Sequence, residues 1–567
     1  MTRDEILQFG LTAGEAVLWS CAAVEVAAWC WACLRVPIGW SVVLAVLLPL
    51  TLLCWWGRIA RPSLAGHVGN VWTAVVLALV VSGIWLFSLI AAWWFYDVSF
   101  DGQAYHQLAV IGLTDGWNPL QTSLPDQGYG IFVNTYPKGT WLAQGLIAGA
   151  TGRIETAKAF NILILIASAL IATSAMTYRP EGRRWWAAIA VLAVANPLAV
   201  SQMLSFCVDG QLASLLLVIV VELFVCWPSG RHRGHLLTAA LAVFLTVGTK
   251  HTGVVYALSL LLAAGYGYAV VERLRLAKWM AVAGSLALVV NLNPYLTNTL
   301  KYGNPFYPIV GKDAPGRPTA AVLVTPTNFQ DRPWLVSAAL SVLSESSWCV
   351  NHQPGRLKMP FSVHRTEIEA FGRGESVRSG GFGPLFGMVT LVTIGSAAGL
   401  RRRAIRPSHV LLLLGLIVPT LAVPAWWARY VPQFWYVPLL IAWLLAARKG
   451  TRATLPVAIL VVAAANVGLV AYGAMAFQYR MTKAIRTELA SMRTGGPVAV
   501  NLDLFASTGR RLTEARVAWR PLAAGESCSN RGFLIGSFDA YICPDGRNER
   551  ALPAGEGVRL PPRGPSS

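Results

Sequence analysis

The segment VWTAVVLALVVSGIWLFSLIAAWWFYDVSFDGQAYHQ, residues 71–107, decides how the rest of this chain is to be interpreted. Its apolar first part, residues 71–94, carries no charge, and about 20 apolar residues are enough for an α-helix to cross a bilayer. Immediately afterwards come two carboxylates, a histidine and two tyrosines. A membrane helix that ends in so many reactive side chains predicts a functional site at the membrane boundary.

The composition of the whole chain is typical of a membrane protein. Of its 567 residues, 55% are hydrophobic and only 13% are charged, and the mean hydropathy is +0.52. Apolar runs of spanning length recur along the chain, which predicts an all-α polytopic membrane protein with about 13 transmembrane helices. We place these helices at residues 11–34, 38–57, 71–94, 158–178, 184–203, 209–227, 236–250, 253–271, 279–296, 382–399, 408–424, 430–447 and 454–475.

The basic residues predict the orientation of these helices. Short loops rich in Lys and Arg remain in the cytoplasm, and such loops occur here at alternate connections. They are residues 57–62, 178–184, 229–235, 271–278, 401–406 and 447–452. We therefore expect a multi-pass protein of a bacterial-type inner membrane, with its N-terminus cytoplasmic and its C-terminus extracytoplasmic. The net charge of +19 then reflects orientation and contact with anionic membrane lipids, and we expect no nucleic-acid partner.

Three regions follow from this topology. Residues 1–70 hold the N-terminal membrane helices, and residues 71–475 form the main membrane domain with long outer loops at 95–157 and 297–381. Residues 476–567 are predicted to be a small α/β extracytoplasmic domain, with a helix over 480–493, strands within 496–505 and 531–543, and a flexible tail. Cys528 and Cys543 lie in this domain, where an oxidising compartment would permit a disulfide, although the spacing alone also allows two free thiols.

Polar side chains at the ends of the predicted helices collect on the outer side of the membrane. Ionisable groups at membrane depth are costly, so their concentration at one boundary indicates a site. Carboxylates can deprotonate a hydroxyl group or hold a divalent cation, and cationic side chains can neutralise a phosphate. This combination suits glycosyl transfer from a lipid-linked donor. The candidates are Asp97, Asp101, Gln103, Tyr105, His106, Tyr136, Lys138, Asp209, Lys250, His251, Asn293, Tyr295, Arg429 and Tyr430.

Two short motifs resemble those of a known family. The segment SFDGQAYHQLAVIGLTDGWNP resembles the first outer loop of the GT-C superfamily of polyprenyl-phosphate-sugar-dependent glycosyltransferases, through Asp101, Gly102, Tyr105, Leu108, Ala109, Gly112, Gly116 and Trp117. The later segment ARYVPQFWYVPLL is similar to a family motif in which an Arg-Tyr pair and a proline open a C-terminal helix, here Arg429, Tyr430 and Pro432. The resemblance implies a GT-C-like membrane domain and a membrane glycosyltransferase.

The resemblance also implies roles for individual residues. Asp101 would be the catalytic base, and Asp97 and Asp209 would orient the acceptor or a divalent cation such as Mg²⁺ or Mn²⁺, with Asp97 and Asp101 as its candidate ligands. Lys250, His251 and Arg429 would stabilise the departing polyprenyl phosphate. The partners would be a polyprenyl-phosphate-linked sugar, an acceptor hydroxyl on a glycan, lipid or protein, and membrane lipids. The transfer would invert the anomeric centre, because no second carboxylate need form a covalent intermediate.

Simpler structural roles remain open for the same side chains. Asp101 and Asp209 each stand where a helix begins, and Asp is a favoured N-cap residue. Lys250 and His251 would reach lipid headgroups without touching a substrate. Arg429 lies among aromatic residues of the kind that form an interfacial belt.

Other functions remain open for the whole chain as well. A transporter or flippase of a lipid-linked or ionic substrate is the main alternative, although we find no internal repeat of the kind many transporters show. A polysaccharide polymerase or ligase and an inactive scaffold are further alternatives.

Overall fold

The computed structural model describes most of the chain. The described residues are 3–35, 71–125, 129–177, 183–227, 234–267, 270–309, 325–348, 353–372, 377–398, 400, 405–447, 454–502, 505–523, 526, 528, 531–538 and 540–543. The predicted span at 38–57, the basic connection at 57–62 and the tail after residue 543 lie outside these residues, as do most of the basic connections near 180, 230, 402 and 450.

Helices make up most of the described structure. The first half of the chain forms α1 (Arg3–Leu34), α2 (Val71–Trp94), a π-helical turn (Gly102–His106), α3 (Gln107–Thr114), α4 (Gly130–Thr135), α5 (Gly139–Thr151), a 3₁₀ turn (Ile154–Lys158), α6 (Ala159–Thr177), α7 (Arg183–Val194), α8 (Pro197–Gln202), α9 (Asp209–Val220) with a π-helical extension (Val221–Cys226), α10 (His235–Thr249), α11 (His251–Gly267) and α12 (Val270–Val290).

The second half continues the helical pattern and adds four short strands. It forms α13 (Leu292–Tyr302), α14 (Trp334–Val342), α15 (Arg365–Ala370), α16 (Phe386–Ala397), α17 (Pro407–Ile417), α18 (Tyr436–Ala446), α19 (Thr454–Thr494), β1 (Val498–Asn501), α20 (Ala506–Glu514), β2 (Trp519–Pro521), β3 (Gly532–Phe533) and β4 (Tyr541–Cys543). Further 3₁₀ turns lie at Thr327–Phe329, Val418–Ala422, Ala428–Tyr430 and Pro432–Trp435.

Several helices are long and apolar enough to cross a membrane, which supports a membrane protein. Within the described ranges there are 5 such helices, or up to 6 if the pair α12 and α13, bent by 71°, forms one span. Shorter apolar helices of 10–17 residues occupy the other predicted spans of those ranges. Each of these is shorter than the roughly 20 residues that a complete span needs. The number of thirteen transmembrane helices therefore stays a prediction.

Small residues let α1 approach α6 closely. Gly10 and Gly14 stand one turn apart, and a Cβ atom at Gly14 would lie 2.8 Å from Leu170 Cβ, while one at Gly10 would lie 2.6 Å from Ser174 Oγ. Glycines at this spacing remove side-chain bulk from one helix face, which is a common way for helices to pack in membranes. The contact anchors α1 against the buried core of the helical domain.

The C-terminal residues form a small α/β domain, as predicted. Its sheet has the strand order β2-β1-β4-β3, with β1 parallel to β2 and antiparallel to β4. The predicted strand over 531–543 is instead a hairpin of β3 and β4, because the chain turns back between Leu534 and Ala540. A disulfide joins Cys528 and Cys543.

A separate apolar cluster joins this domain to the membrane domain. The helix predicted over 480–493 is the end of α19, which continues 41 residues from the last predicted span. Its Met481 and Ile485 pack with Tyr96 and Val98 of the first outer loop and with Val500 of β1. The loop that leads to Asp101 is therefore in direct contact with the C-terminal domain.

Candidate functional site

Four element ends bring acids and bases to one place. Helix α9 begins at Asp209, and its neighbour α10 ends just before Lys250, so the two residues are adjacent when these helices pack side by side in opposite directions. Asp101 immediately precedes the π-helical turn after α2, and Arg429 lies in the 3₁₀ turn that leads to α18. The sequence positions differ by as much as the whole membrane domain, yet the four side chains meet.

These four residues form a continuous chain of ion pairs, which we call the charged cluster. Arg429 Nη2 lies 2.7 Å from Asp101 Oδ2, and Arg429 Nε lies 3.1 Å from Asp209 Oδ2. The other oxygen of Asp209, Oδ1, accepts a hydrogen bond from Lys250 Nζ at 2.5 Å. Two acids and two bases therefore alternate, and their formal charges cancel.

Burial distinguishes the two acids of the charged cluster. The Asp209 side chain is fully buried, and the Asp101 side chain is 21% exposed. Gln202 Nε2 donates a third contact to Asp209 Oδ2 at 3.2 Å, so that carboxylate is surrounded by donors. Removing one partner from such a buried group of ions leaves an uncompensated charge and costs about 3–5 kcal/mol. Asp209 is thus held in place, while Asp101 faces outward.

The simpler N-cap interpretations do not describe either acid. Asp101 has helical backbone angles and makes no side-chain hydrogen bond to the turn that follows it. Asp209 is the first residue of α9, and its carboxylate contacts Arg429, Lys250 and Gln202 instead of a backbone N–H group. The electrostatic partners of both carboxylates come from distant parts of the chain.

Tyr105 and His106 line the charged cluster on the side of the first outer loop. The Tyr105 hydroxyl donates to Asp101 Oδ2 at 3.1 Å, and burial together with the Asp101 carboxylate raises the pKa of Tyr105 well above its usual range, so the hydroxyl stays a donor. His106 Nδ1 accepts a hydrogen bond from Trp141 Nε1 at 2.8 Å. Burial lowers the pKa of His106 from 6.5 to about 4, although Asp101 and Asp209 act in the opposite direction. This imidazole is neutral at physiological pH.

The neutral His106 predicts a loss of stability in mild acid. Because its folded pKa lies below its usual value, the unfolded chain binds the extra proton between pH 6.5 and about 4, and stability falls as the pH drops through that window. At about pH 5 the cost is about 2 kcal/mol. We expect His106→Gln, which keeps an acceptor for Trp141, to show a smaller drop in melting temperature between about pH 7.5 and about pH 5. An identical drop in both proteins would contradict the prediction.

A second group of predicted residues lies beside the charged cluster. The Tyr136 ring stands between those of Tyr105 and His251, with ring centroids 5.7 Å and 5.6 Å away, and the Tyr295 ring lies 5.5 Å beyond His251. His251 Nε2 contacts the Thr135 carbonyl oxygen at 3.2 Å. This arrangement makes His251 part of an aromatic wall, with no contact to an acid.

Three more of the predicted residues have local partners. Lys138 Nζ donates to the backbone carbonyls of Asn134 and Tyr136 at the end of α4. Asn293 Nδ2 donates to the Pro119 carbonyl at 2.6 Å, at the bend between α12 and α13. Tyr430 presents its ring to Lys250 Nζ, 4.7 Å from the ring centroid. Of these three, Tyr430 borders the charged cluster, and Lys138 and Asn293 instead bind backbone carbonyls.

Asp97 and Gln103 belong to a different buried network, which ties the first outer loop to the C-terminal domain. Asp97 accepts backbone N–H groups on both oxygens, from Ser99 and Phe206, each at 2.8 Å. Gln103 Nε2 donates to the Gly536 carbonyl at 2.8 Å. We call the group of Asp97, Gln103, Glu155, Lys158 and Arg511 the interdomain network.

Three members of the interdomain network were not expected from the sequence. Glu155 accepts hydrogen bonds from the Asp97 backbone N–H at 3.0 Å and from Arg511 Nε at 3.0 Å, and it is paired with Lys158. Glu155 and Lys158 are three residues apart in a 3₁₀ turn, which is a sequence signal for a local ion pair. Arg511 is more than 350 residues away in α20, and the sequence contains no signal for that contact.

Gly102 separates Asp97 from Asp101, and its lack of a side chain is required. A Cβ atom there would lie 2.0 Å from Asp97 Oδ2 and 2.2 Å from Ser99 Oγ. We expect Gly102→Ala to displace Asp97 and to destabilise the protein by about 1–3 kcal/mol, measured as a lower melting temperature in detergent. Gly83→Ala in α2 is the control, because a Cβ atom there has no neighbour within 4 Å. Equal melting temperatures for the two variants would contradict the prediction.

The predicted cation ligands do not fit a divalent metal. Both Asp97 oxygens accept backbone N–H groups, and Asp101 Oδ2 is engaged by Arg429 and by the Tyr105 hydroxyl. Mg²⁺ and Mn²⁺ need several oxygen ligands directed at one point. These two carboxylates belong to separate networks, so we assign no metal to them.

Comparison with known proteins gave no assignment. No known protein-family model matches the chain, and no curated protein shows significant similarity to it. The function is therefore argued from the charged cluster and from the two motifs that resemble the GT-C superfamily.

Proposed function

We propose that the protein is an integral-membrane glycosyltransferase that moves a sugar from a polyprenyl-phosphate-linked donor to an acceptor hydroxyl on the outer face of the membrane. The observation that carries the proposal is the contact between Arg429 and two carboxylates, one outward-facing and one buried. A reaction of this kind needs a base for the acceptor and a cationic seat for the leaving phosphate. Both kinds of group are present in the charged cluster within one network of contacts.

The proposed step is a direct displacement. The acceptor oxygen forms a bond to the anomeric carbon, the bond between that carbon and the phosphate oxygen breaks, and the hydroxyl proton passes to Asp101. The bonding pair leaves with the phosphate, which gains one negative charge, while Asp101 loses one. The total charge is unchanged, and attack from the face opposite the phosphate inverts the anomeric centre.

The charged cluster suits this exchange of charge. Before the reaction Arg429 is paired with Asp101, and its charge is compensated. When Asp101 takes up a proton, Arg429 loses that compensation at the moment when the leaving phosphate gains a charge. Lys250 provides a second cation on the other side of Asp209. Asp209 is then a positioning residue that holds both cations, because it is fully buried between them.

The test is a donor panel with the purified full-length protein. The protein is reconstituted in liposomes with polyprenyl-phosphate hexoses and pentoses and a hydroxyl acceptor, and release of polyprenyl phosphate is measured. We expect one donor to be consumed, with inversion at the anomeric carbon seen by NMR. If no donor is consumed but a fluorescent donor crosses the bilayer, the transporter alternative is favoured and the proposal fails.

A further inference from the structure

Three potential metal ligands meet at the end of α9 that lies far from Asp209. Glu222 and Cys226 belong to the π-helical extension of α9, and His235 is the first residue of α10. One carboxylate oxygen, the Cys226 sulfur and one imidazole nitrogen all lie within 4.8 Å of one another, and all three residues are buried. Asp209–Cys226 spans 18 residues, so about 25 Å separates this group from the charged cluster.

The local structure brings these side chains together. Glu222 and Cys226 are four residues apart and share one face of the helix. Their helical segment has π geometry, which is uncommon and often marks a functional position. Glu222 Oε2 contacts His235 Nδ1, whereas Glu222 Oε1 is fully buried and has no hydrogen-bond partner. An unpartnered buried carboxylate oxygen is costly, and a cation would satisfy it.

We propose that Glu222, Cys226 and His235 bind a zinc-class divalent ion. A thiolate and an imidazole together favour Zn²⁺ over Mg²⁺ or Ca²⁺, which prefer oxygen ligands alone. Zn²⁺ ligands at about 2.0–2.3 Å in a tetrahedron are separated from one another by about 3.3–3.8 Å, within the spacing found here. Binding requires the Glu222–His235 contact to open by about 1 Å. Water completes the tetrahedron.

The ion would fasten the end of α9 to the start of α10. These two helices also carry Asp209 at the beginning of α9 and Lys250 after the end of α10. A metal at their far ends would fix how the pair packs, and so support the charged cluster without touching it. The proposal is independent of the glycosyltransferase assignment.

The first test is metal content. The full-length protein is produced with added Zn²⁺, purified in detergent, dialysed against a weak chelator and analysed by mass spectrometry for metals. We expect about one Zn²⁺ per chain, and a loss of most of it in Cys226→Ser and in His235→Gln. Cys21→Ser is the control, because Cys21 is a buried cysteine outside the group and should leave the content unchanged. Native protein without Zn²⁺, or equal content in all variants, would overturn the proposal.

The second test does not depend on the variants folding. Co²⁺ is added to metal-free native protein, and the absorption spectrum is recorded. We expect the charge-transfer absorption of a thiolate bound to Co²⁺ together with the visible bands of tetrahedral Co²⁺, and competition by Zn²⁺ but not by excess Mg²⁺. Absence of the thiolate band would show that Glu222 and His235 form only an ordinary hydrogen-bonded pair.

Discussion

Asp101→Asn is expected to lower the turnover number for glycosyl transfer by about 10²–10⁴-fold, the usual contribution of a general base. The substitution preserves size and leaves an oxygen that accepts the Tyr105 hydroxyl, which lies 3.1 Å from Asp101 Oδ2. It removes the negative charge that pairs with Arg429. Arg429 is then free to bind the phosphate of the donor, so we expect the Michaelis constant for the donor to stay the same or to fall.

This pattern distinguishes a missing base from a damaged fold. A merely structural defect would raise the Michaelis constant or lower the melting temperature together with the rate. Asp115→Asn is the matched control: Asp115 is an exposed acid of the same outer loop that pairs with Arg510 at 3.2 Å, outside the charged cluster. Its activity should equal that of the native protein. Equal turnover by Asp101→Asn and Asp115→Asn would refute the assignment of the base.

The charged cluster could be predicted from the sequence because helix topology is a strong constraint. A chain that crosses a membrane repeatedly has its helix ends at two boundaries, and polar residues at alternate ends share a boundary. Asp101, Asp209, Lys250 and Arg429 satisfy this rule, and the structure brings them into contact. Their pairing order, with Arg429 between two acids, depends on side-chain directions that the topology leaves undetermined.

Gln103 shows where sequence reasoning stops. A regular helix beginning at Gly102 would place Gln103 with its neighbours on the predicted site, but the first turn is π-helical and changes which side chains share a face. Gln103 therefore contacts Gly536 and Arg511 of the C-terminal domain. Contacts between segments more than 400 residues apart have no periodic signal, so the interdomain network could not be anticipated.

The sequence also gave no reason to suspect the group at the far end of α9. Glu222 and Cys226 occur in an apolar run, and His235 follows a basic connection that reads as an orientation signal. Their proximity depends on α9 and α10 packing in opposite directions and on the π-helical extension of α9. The same pairing of helices that places Lys250 beside Asp209 at one end therefore creates the proposed metal site at the other.

Arg511→Met is expected to destabilise the protein by about 3–5 kcal/mol, because it removes one partner from a buried ionic network. Arg511 is 4% exposed and Glu155 is 1% exposed, with Arg511 Nε 3.0 Å from Glu155 Oε1. Arg511 also donates to the Asp97 carbonyl and to Gln103. Methionine has a similar length but no donor, so the substitution leaves these acceptors without their cation. Lys158 remains beside Glu155 and limits the loss.

The expected result is a lower melting temperature in detergent and faster proteolysis within the C-terminal domain, whose packing against the first outer loop depends on this network. Arg520→Met is the matched control, since Arg520 forms an ion pair with Glu526 in the same domain but is 50% exposed. Exposed pairs contribute little to stability, so this variant should behave like the native protein. Because Asp97 and Gln103 flank Asp101 in sequence, Arg511→Met should also lower transfer activity at temperatures where the protein remains folded. Indistinguishable melting temperatures for Arg511→Met and Arg520→Met would show that the interdomain network does not hold the C-terminal domain against the loop that carries Asp101.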